Sequence, residues 1–383
     1  MVKIDLLVTV VVISMFIALM LSCFLVKVKT EQKVGNRLFA TFLVLTAIDI
    51  SVNLGYLFKI PVNARIFISS IFFLQLPTFY LYVLSVCYYD FKLKTGHLIH
   101  IIPFLIANIL LLPRFYLVDL PSKISFLEKS SSMLEIQVNH TFIHIQIVSY
   151  LVAVFVLLRK AKRVYLENYA GASIKSLNWL FDFTAALAVF YFIAFLKNVF
   201  KFTNYPNISE WLKTGLYVFE LVIKSWYLFK ALNHPDLFRN IDSKLKLVKD
   251  IISEEKQSEP KAGNETELNA TLVKLKRYMA EEKPFLNPSL TIQDVSRDIQ
   301  IPTRELSLLI NHTLQQHFFD FINAYRIENA MTILDDTAMN KVTILEILYQ
   351  VGFNSKSSFN TAFKKHTGLT PTEYRKQVKF KVL

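Results

Sequence analysis

Residues 351–375 read VGFNSKSSFNTAFKKHTGLTPTEYR. Gly352 permits a tight turn because it carries no Cβ, and Asn354 or Ser355 can cap the following helix by accepting from its unpaired amides. On a helical wheel Phe359 and Phe363 point one way, while Ser357, Thr361, Lys364 and Lys365 point the other, flanked by Lys356 and Asn360. The stretch predicts a turn and then a short helix whose outer face is small and polar at its start and basic at its end. That face suits base edges read by the first turn and phosphates held by the last.

Upstream, Ile344, Ile347, Leu348 and Val351 form the inner face of a short helix, which completes a helix, turn, helix unit. The same device stands earlier in the chain. Ile292, Val295 and Ile299 share one face, a turn falls at Gln300 and Ile301, and Pro302 opens a helix with Leu306, Leu309 and Ile310 inward. A longer helix, Phe318 to Leu334, lies between, with Phe318, Phe321, Ile322, Tyr325, Ala330 and Leu334 as its apolar face. Two such units place two second helices where each can enter a major groove.

The stretch from about Leu275 to Arg375 resembles the DNA-binding domain of the AraC/XylS family of bacterial transcription regulators. The carrying residues are KRYMAEEKPFLNPSLTIQDVS, FFDFINAYRIENAMTIL and, above all, VGFNSKSSFNTAFKKHTGLTPTEYR. The resemblance implies double-stranded promoter DNA as partner. In the first recognition helix it implies contacts by Arg304, Ser307, Leu308 and Asn311; in the second, by Lys356, Ser357, Asn360 and Thr361, with Lys364 and Lys365 on phosphates. Gly352, Phe353, Phe359, Phe363, Pro371 and Tyr374 are structural in this scheme. The chain departs from the family pattern mostly in the first unit: Gln300 and Gln315 stand where Gly is usual, Ser296 and Leu348 where Ala is usual, and Pro302 where a capping Ser is usual. Charge points the same way. Residues 284–340 hold 3 basic and 7 acidic side chains and residues 341–383 hold 8 and 2, so the second unit is expected to supply most of the phosphate attraction.

Before this domain, Phe238, Ile241, Leu245, Val248 and Ile252 fall at spacings of 3, 4, 3 and 4. That is a short heptad seam, fit either to pair with a second copy or to lie on a membrane. SEEKQSEPKAGNET, residues 253–266, has the composition of a flexible linker.

The rest of the chain has another character. Of 383 residues 53% are hydrophobic, and the excess lies before residue 232, in runs near 6–26, 38–58, 66–89, 98–117, 141–158, 177–200 and 208–232. Each suffices to cross a hydrocarbon core, which takes about 20 helical residues. The first run is too long for a signal-peptide core and is expected to stay attached. The formal charge of +13 also divides unevenly, with 22 basic and 11 acidic residues in 1–232 against 21 and 19 in 233–383. Basic residues gather in two loops, Lys27, Lys29, Lys33 and Arg37 after the first run, and Arg159, Lys160, Lys162, Arg163 and Lys175 after the fifth. Since Lys and Arg mark cytoplasmic loops, the expected topology is multi-pass in the inner (cytoplasmic) membrane, N-terminus outside and C-terminal domain in the cytoplasm. The loop 118–140, of mixed charge, falls outside.

The intramembrane polar groups are Asp49 and Asn53, His144 and Gln146, Asp182, and Glu220 and Lys224. Such groups face the bundle interior by default, and Asp49, Asn53, Glu220 and Lys224 are the candidates for sensing a small-molecule or membrane signal. Glu220 and Lys224 share a helix face and offset one another. A Schiff-base role for Lys224 is disfavoured, because the third run lacks the Arg and Asp of retinal-binding pumps. Pro77 is expected to kink that run. Cys23 and Cys87 read as buried small hydrophobes. No paired His, Ser/Lys or carboxylate arrangement has catalytic spacing, so no enzyme, metal or cofactor is expected. The fold expected is all-α, a seven-helix transmembrane bundle (1–232), a juxtamembrane helix and linker (233–267) and a double helix-turn-helix domain (268–383), acting as a homodimer on promoter DNA. A transporter or channel with a regulatory tail is the competing class, but no inverted repeat or broken helix pair supports it.

Overall fold

A computed structural model describes residues 6–28, 33–54, 59–88, 91–129, 132–170, 174–201, 206–233, 265–336, 339 and 341–381. Among them every regular element is helical, and an isolated antiparallel bridge joins Tyr169 and Thr291. The chain is all-α and divides into two units, Met1–Arg159 with Ser176–Asp242, and Lys160–Lys175 with Ser243–Leu383. The heptad seam 238–252 and residues 253–264 of the expected linker lie outside the described residues.

The first unit contains α1 (Leu6–Lys27), α2 (Lys33–Ser51), α3 (Val62–Ser70), α4 (Phe72–Cys87), α5 (Ile102–Leu111), α6 (Leu120–Glu128), most of α7 (Leu134–Asn168), α8 (Ile174–Lys201) and α9 (Pro206–Asn233). Among the described residues six stretches are long and apolar enough to cross a membrane: Leu6–Lys27, Lys33–Leu54, Val62–Cys87, Thr95–Tyr116, Leu134–Asn168 and Leu177–Phe200. They coincide with six of the seven expected runs. The seventh run does form a continuous helix, α9, but it falls short in apolarity. Any stretch of α9 long enough to span carries at least three of Glu210, Lys213, Glu220, Lys224 and Lys230.

Three further expectations need correction. The fifth helix does not stop at 158; α7 continues to Asn168 through RKAKRVYLEN, which is polar but free of helix breakers. The expected loop 118–140 contains α6, opened by Asp119, whose carboxylate accepts from Ser122 N–H at 3.3 Å. Cys87 is buried as expected, but Cys23 is exposed, because it shares the outer face of α1 with Phe16, Met20 and Phe24.

Pro77 lies inside α4, and the interruption of the third apolar stretch falls upstream at Ile71, between α3 and α4. A proline has no N–H, so the carbonyl four residues earlier loses its helical donor. Here that carbonyl is Phe73 O, and the buried Gln146 amide of α7 donates to it at 2.9 Å. Gln146 thereby acquires a structural explanation. Inside the bundle Phe39 lies 4.3 Å from Tyr227 and 4.6 Å from Tyr82, centroid to centroid, at the middle of an aromatic cluster with Phe79 and Phe183.

In the second unit, helix Glu265–Glu281 leads into two small cores joined by one long helix, Phe318–Asp335. The first half of that helix puts Phe318, Phe321 and Ile322 into a core with Leu275, Val295, Leu306 and Ile310. Its second half puts Ile327, Ala330 and Leu334 into a core with Ile347, Leu348, Phe359 and Phe363. Burying each large apolar side chain contributes about 1.5–3 kcal/mol, so one helix carries the alignment of both halves.

Candidate functional site

The candidate site is built on two equivalent helix openings. Thr291 Oγ1 accepts from Asp294 N–H at 3.2 Å while Asp294 Oδ2 accepts from Thr291 N–H at 3.1 Å. In the second half, Thr343 Oγ1 accepts from Glu346 N–H at 3.1 Å and Glu346 Oε2 from Thr343 N–H at 2.7 Å. Each reciprocal pair satisfies two amides that the helix leaves unpaired. Ile292–Asp298 and Ile344–Gln350 are the helices so opened. After each comes a left-handed residue, Gln300 (φ 53°) in one and Gly352 (φ 88°) in the other, and then the second helix. In the first unit this is Thr303–Ser307, continued by a wider turn through Leu308–Thr313; in the second it is Lys356–Thr367, capped by Ser355 Oγ, which accepts from Ser358 N–H.

On Lys356–Thr367, Phe359 and Phe363 are fully buried, and Lys356, Ser357, Thr361, Lys364 and Lys365 are exposed, with Asn360 half-buried. The structure therefore brings all six candidates of this helix onto its open side. Two are already engaged. Thr361 Oγ1 donates to Ser357 O at 2.8 Å, and Lys365 Nζ donates to Asp320 Oδ1 at 2.7 Å.

The first recognition helix presents less. Arg304 is exposed and Leu308 half-buried, but Ser307 is buried and its hydroxyl accepts from Asn311 Nδ2 at 3.1 Å. Asn311 Oδ1 in turn accepts from Phe318 N–H at 3.1 Å, which ties this helix to the start of the bridging helix. Ser307 and Asn311 thus face the interior and hold the frame, leaving Arg304 as the outward cation of this helix.

Among the structural residues, Gly352 is confined by its surroundings: a Cβ there would stand 2.5 Å from Phe285 O. Phe353 packs edge-on to Phe359 at 5.2 Å, Pro371 is buried, and Tyr374 meets Phe363 at 5.5 Å. One central residue escaped the reading of the sequence. Arg326 is 1% exposed; its Nε donates to Phe285 O at 2.7 Å and its Nη2 to Asn287 O at 2.8 Å, and the guanidinium lies 5.4 Å from the Phe353 ring. Burial pulls its pKa down to about 10, so it stays charged at neutral pH. The signal was its place on the ladder Ile322, Arg326, Ala330, Leu334, where an apolar residue is expected.

The apolar unit holds a separate polar site. Asp49, Glu220 and Lys224 line one cavity of about 60 Å³ together with Gln75, Tyr191 and Tyr227. Lys224 Nζ donates to Glu220 Oε1 at 2.6 Å and to Ser14 Oγ at 3.1 Å. Asn53 is not among the lining residues; its amide donates to Ile50 O at 3.0 Å. His144 is engaged with Asn198 at 3.2 Å, and Asp182 is exposed. Gln75 was not among the polar groups singled out in the sequence, although like Gln146 it is an amide inside an apolar run.

Two capped helix-turn-helix units on a shared bridging helix define a DNA-binding domain. Residues 295–377 match the family model described as "Helix-turn-helix domain", which is of the AraC/XylS type. Over 88 residues the chain is 32% identical to the Melibiose operon regulatory protein of Escherichia coli (strain K12), covering 23% of this chain and 28% of that protein. Over 111 residues it is 29% identical to the transcriptional regulatory protein YesN of Bacillus subtilis (strain 168), covering 28% of this chain and 29% of that one. The Msm operon regulatory protein of Streptococcus mutans serotype c is 23% identical over 107 residues, 27% of this chain and 37% of that protein. The chain thus spans well under half the length of these curated relatives. No solved structure matches the chain significantly.

Proposed function

We propose that the protein is a membrane-embedded, sequence-specific transcription regulator whose apolar unit senses a signal and whose C-terminal domain binds promoter DNA. The observation that carries this reading is the presence in one chain of six helices apolar enough to span a membrane and a double helix-turn-helix with an exposed Lys356, Ser357, Thr361, Lys364 face. The functional divisions are 1–232 for sensing, 233–267 for coupling and 268–383 for DNA, with the N-terminus outside and the C-terminal domain in the cytoplasm, an orientation that requires α9 as a seventh crossing in which Glu220 and Lys224 offset one another. The basic loops support that orientation. The heptad seam supports a homodimer, in which a shift of the bundle alters the spacing of two DNA-binding domains. Single Cys variants at Ile241 or Val248 that crosslink under one signalling state support this, and no dimer under any condition sinks it.

In the DNA complex the second recognition helix supplies most of the phosphate attraction and Arg304 adds base contact. A genome-wide map of DNA bound by the intact protein tests the whole reading, with sharp peaks upstream of a small gene set expected. Uniform coverage, or none, defeats it. The sensing site is the cavity lined by Asp49, Glu220 and Lys224, and its signal is a small molecule or a state of the membrane.

A further inference from the structure

The segment Lys160–Lys175 runs between the fifth and sixth apolar helices, yet it folds with the DNA-binding half of the chain. Backbone bonds fix its path. Ala170 N–H donates to Leu290 O at 3.0 Å, and Tyr169 bridges to Thr291, the residue that caps the first helix of the first helix-turn-helix. Ala170 O accepts from Arg326 Nη1 at 2.8 Å on the bridging helix, and Glu167 O accepts from Asn311 Nδ2 at 3.3 Å at the end of the first recognition helix. Ala170 is 1% exposed and belongs to the core of that unit.

Four residues, Glu167 to Ala170, therefore hold a cap, a recognition helix and the bridging helix together. Without them Arg326 Nη1 keeps only Asn323 Oδ1, at 3.2 Å, and a buried charged donor left short of acceptors is costly.

We propose that Lys160–Ala170 is a third part of the DNA-binding unit, in which Glu167–Ala170 clamps the first helix-turn-helix. The effect on DNA binding rests on the DNA-binding reading above; the clamp does not. A C-terminal fragment cut free in the linker lacks the clamp and is expected to bind DNA more weakly than the intact chain.

The test uses the intact chain in lipid nanodiscs with random-sequence duplex DNA as probe. Ala170→Pro deletes the donor to Leu290, whereas Ala170→Ser keeps it. Ala170→Pro is expected to speed amide exchange across residues 290–311 by about tenfold and to weaken DNA binding severalfold, while Ala170→Ser does neither. Wild-type exchange in Ala170→Pro overturns the clamp. If Lys356→Gln and Lys364→Gln leave DNA binding untouched, the functional reading fails, and the exchange measurement still decides the clamp.

Discussion

Two glutamines occupy backbone positions that glycine would fill more cheaply. Gln300 and Gln315 have φ of 53° and 52°, in the left-handed region where a Cβ costs about 1–2 kcal/mol. Both stand where the resembled family usually has Gly. Glycine gives back about 0.5–1 kcal/mol through its freer unfolded chain, so Gln300→Gly and Gln315→Gly are each expected to stabilise the second unit by about 0.5–1 kcal/mol. Chemical denaturation of the intact protein, followed through a probe in the C-terminal domain, checks this; a loss of stability would mean the Gln side chains hold something. Gly352 presents the opposite case. Its φ is 88° and an added Cβ would meet Phe285 O at 2.5 Å, so Gly352→Ala is expected to cost on the order of 3 kcal/mol, read by the same denaturation. The departures at Gln300 and Gln315 were visible as letters in the sequence, and the physical reason they matter, a positive φ, needed coordinates. Ser296 is similar: it replaces a usual Ala, and its hydroxyl is satisfied by donating to Ile301 O at 2.6 Å and accepting from Thr303 at 2.8 Å.

At the scale of elements, periodicity and caps were the legible signals. Phe359 and Phe363 are buried, Ser355 is a cap, and Phe318–Asp335 forms as one helix, because local spacing alone decides which face is apolar. Arg326 and the inward turn of Ser307 and Asn311 were not legible, since each depends on carbonyls or amides supplied from elsewhere in the chain. The capping pairs carry a pH dependence. Thr343 holds Glu346 below its ordinary 4.5 by donating through its backbone N–H and its side chain, and Thr370 does the same for Glu373. A carboxylate with a lowered folded-state pKa contributes stability that is present above about 4.5 and lost as pH falls through the folded value. The second helix-turn-helix is therefore expected to loosen in acid. Glu346→Gln and Glu373→Gln, which keep the capping geometry without the charge, are expected to make that acid limb shallower, seen as a thermal midpoint that falls less steeply below pH 4.5 than in the wild type. A limb as steep as in the wild type would place the acid sensitivity elsewhere.

For the whole molecule, the +13 charge that suggests nucleic acid belongs mostly to the apolar part, and the phosphate attraction must come from a few side chains. Their accounting is local. Lys365 is held 2.7 Å from Asp320, so a phosphate must displace or share that carboxylate, whereas Lys364 is exposed on the same helix end. Lys364→Ala is expected to reduce the salt slope of DNA binding by about 0.9, Lys365→Ala by less, and Asp320→Asn to raise affinity by releasing Lys365. Equal effects from the two lysines would show that Asp320 does not restrain Lys365.

The sensing half poses the matching question of which charges hold the bundle together and which answer a signal. Lys224 is 5% exposed and held by Glu220 at 2.6 Å and Ser14 at 3.1 Å. Removing one partner of such a pair leaves a buried charge uncompensated and costs about 3–5 kcal/mol, whereas replacing both by apolar or neutral groups is often close to neutral. Glu220→Gln alone is therefore expected to lower the amount of folded protein in the membrane sharply, and Glu220→Gln with Lys224→Met to restore it. Asp49 lines the same cavity but makes no ion pair among the described residues, so Asp49→Asn is expected to leave the amount of folded protein unchanged. If the cavity is where the signal acts, both the double variant and Asp49→Asn assemble normally, bind duplex DNA with wild-type affinity in nanodiscs, and fail to change reporter transcription when the signal is applied. Normal response in both would place the sensing site elsewhere and leave Glu220 and Lys224 as a structural pair.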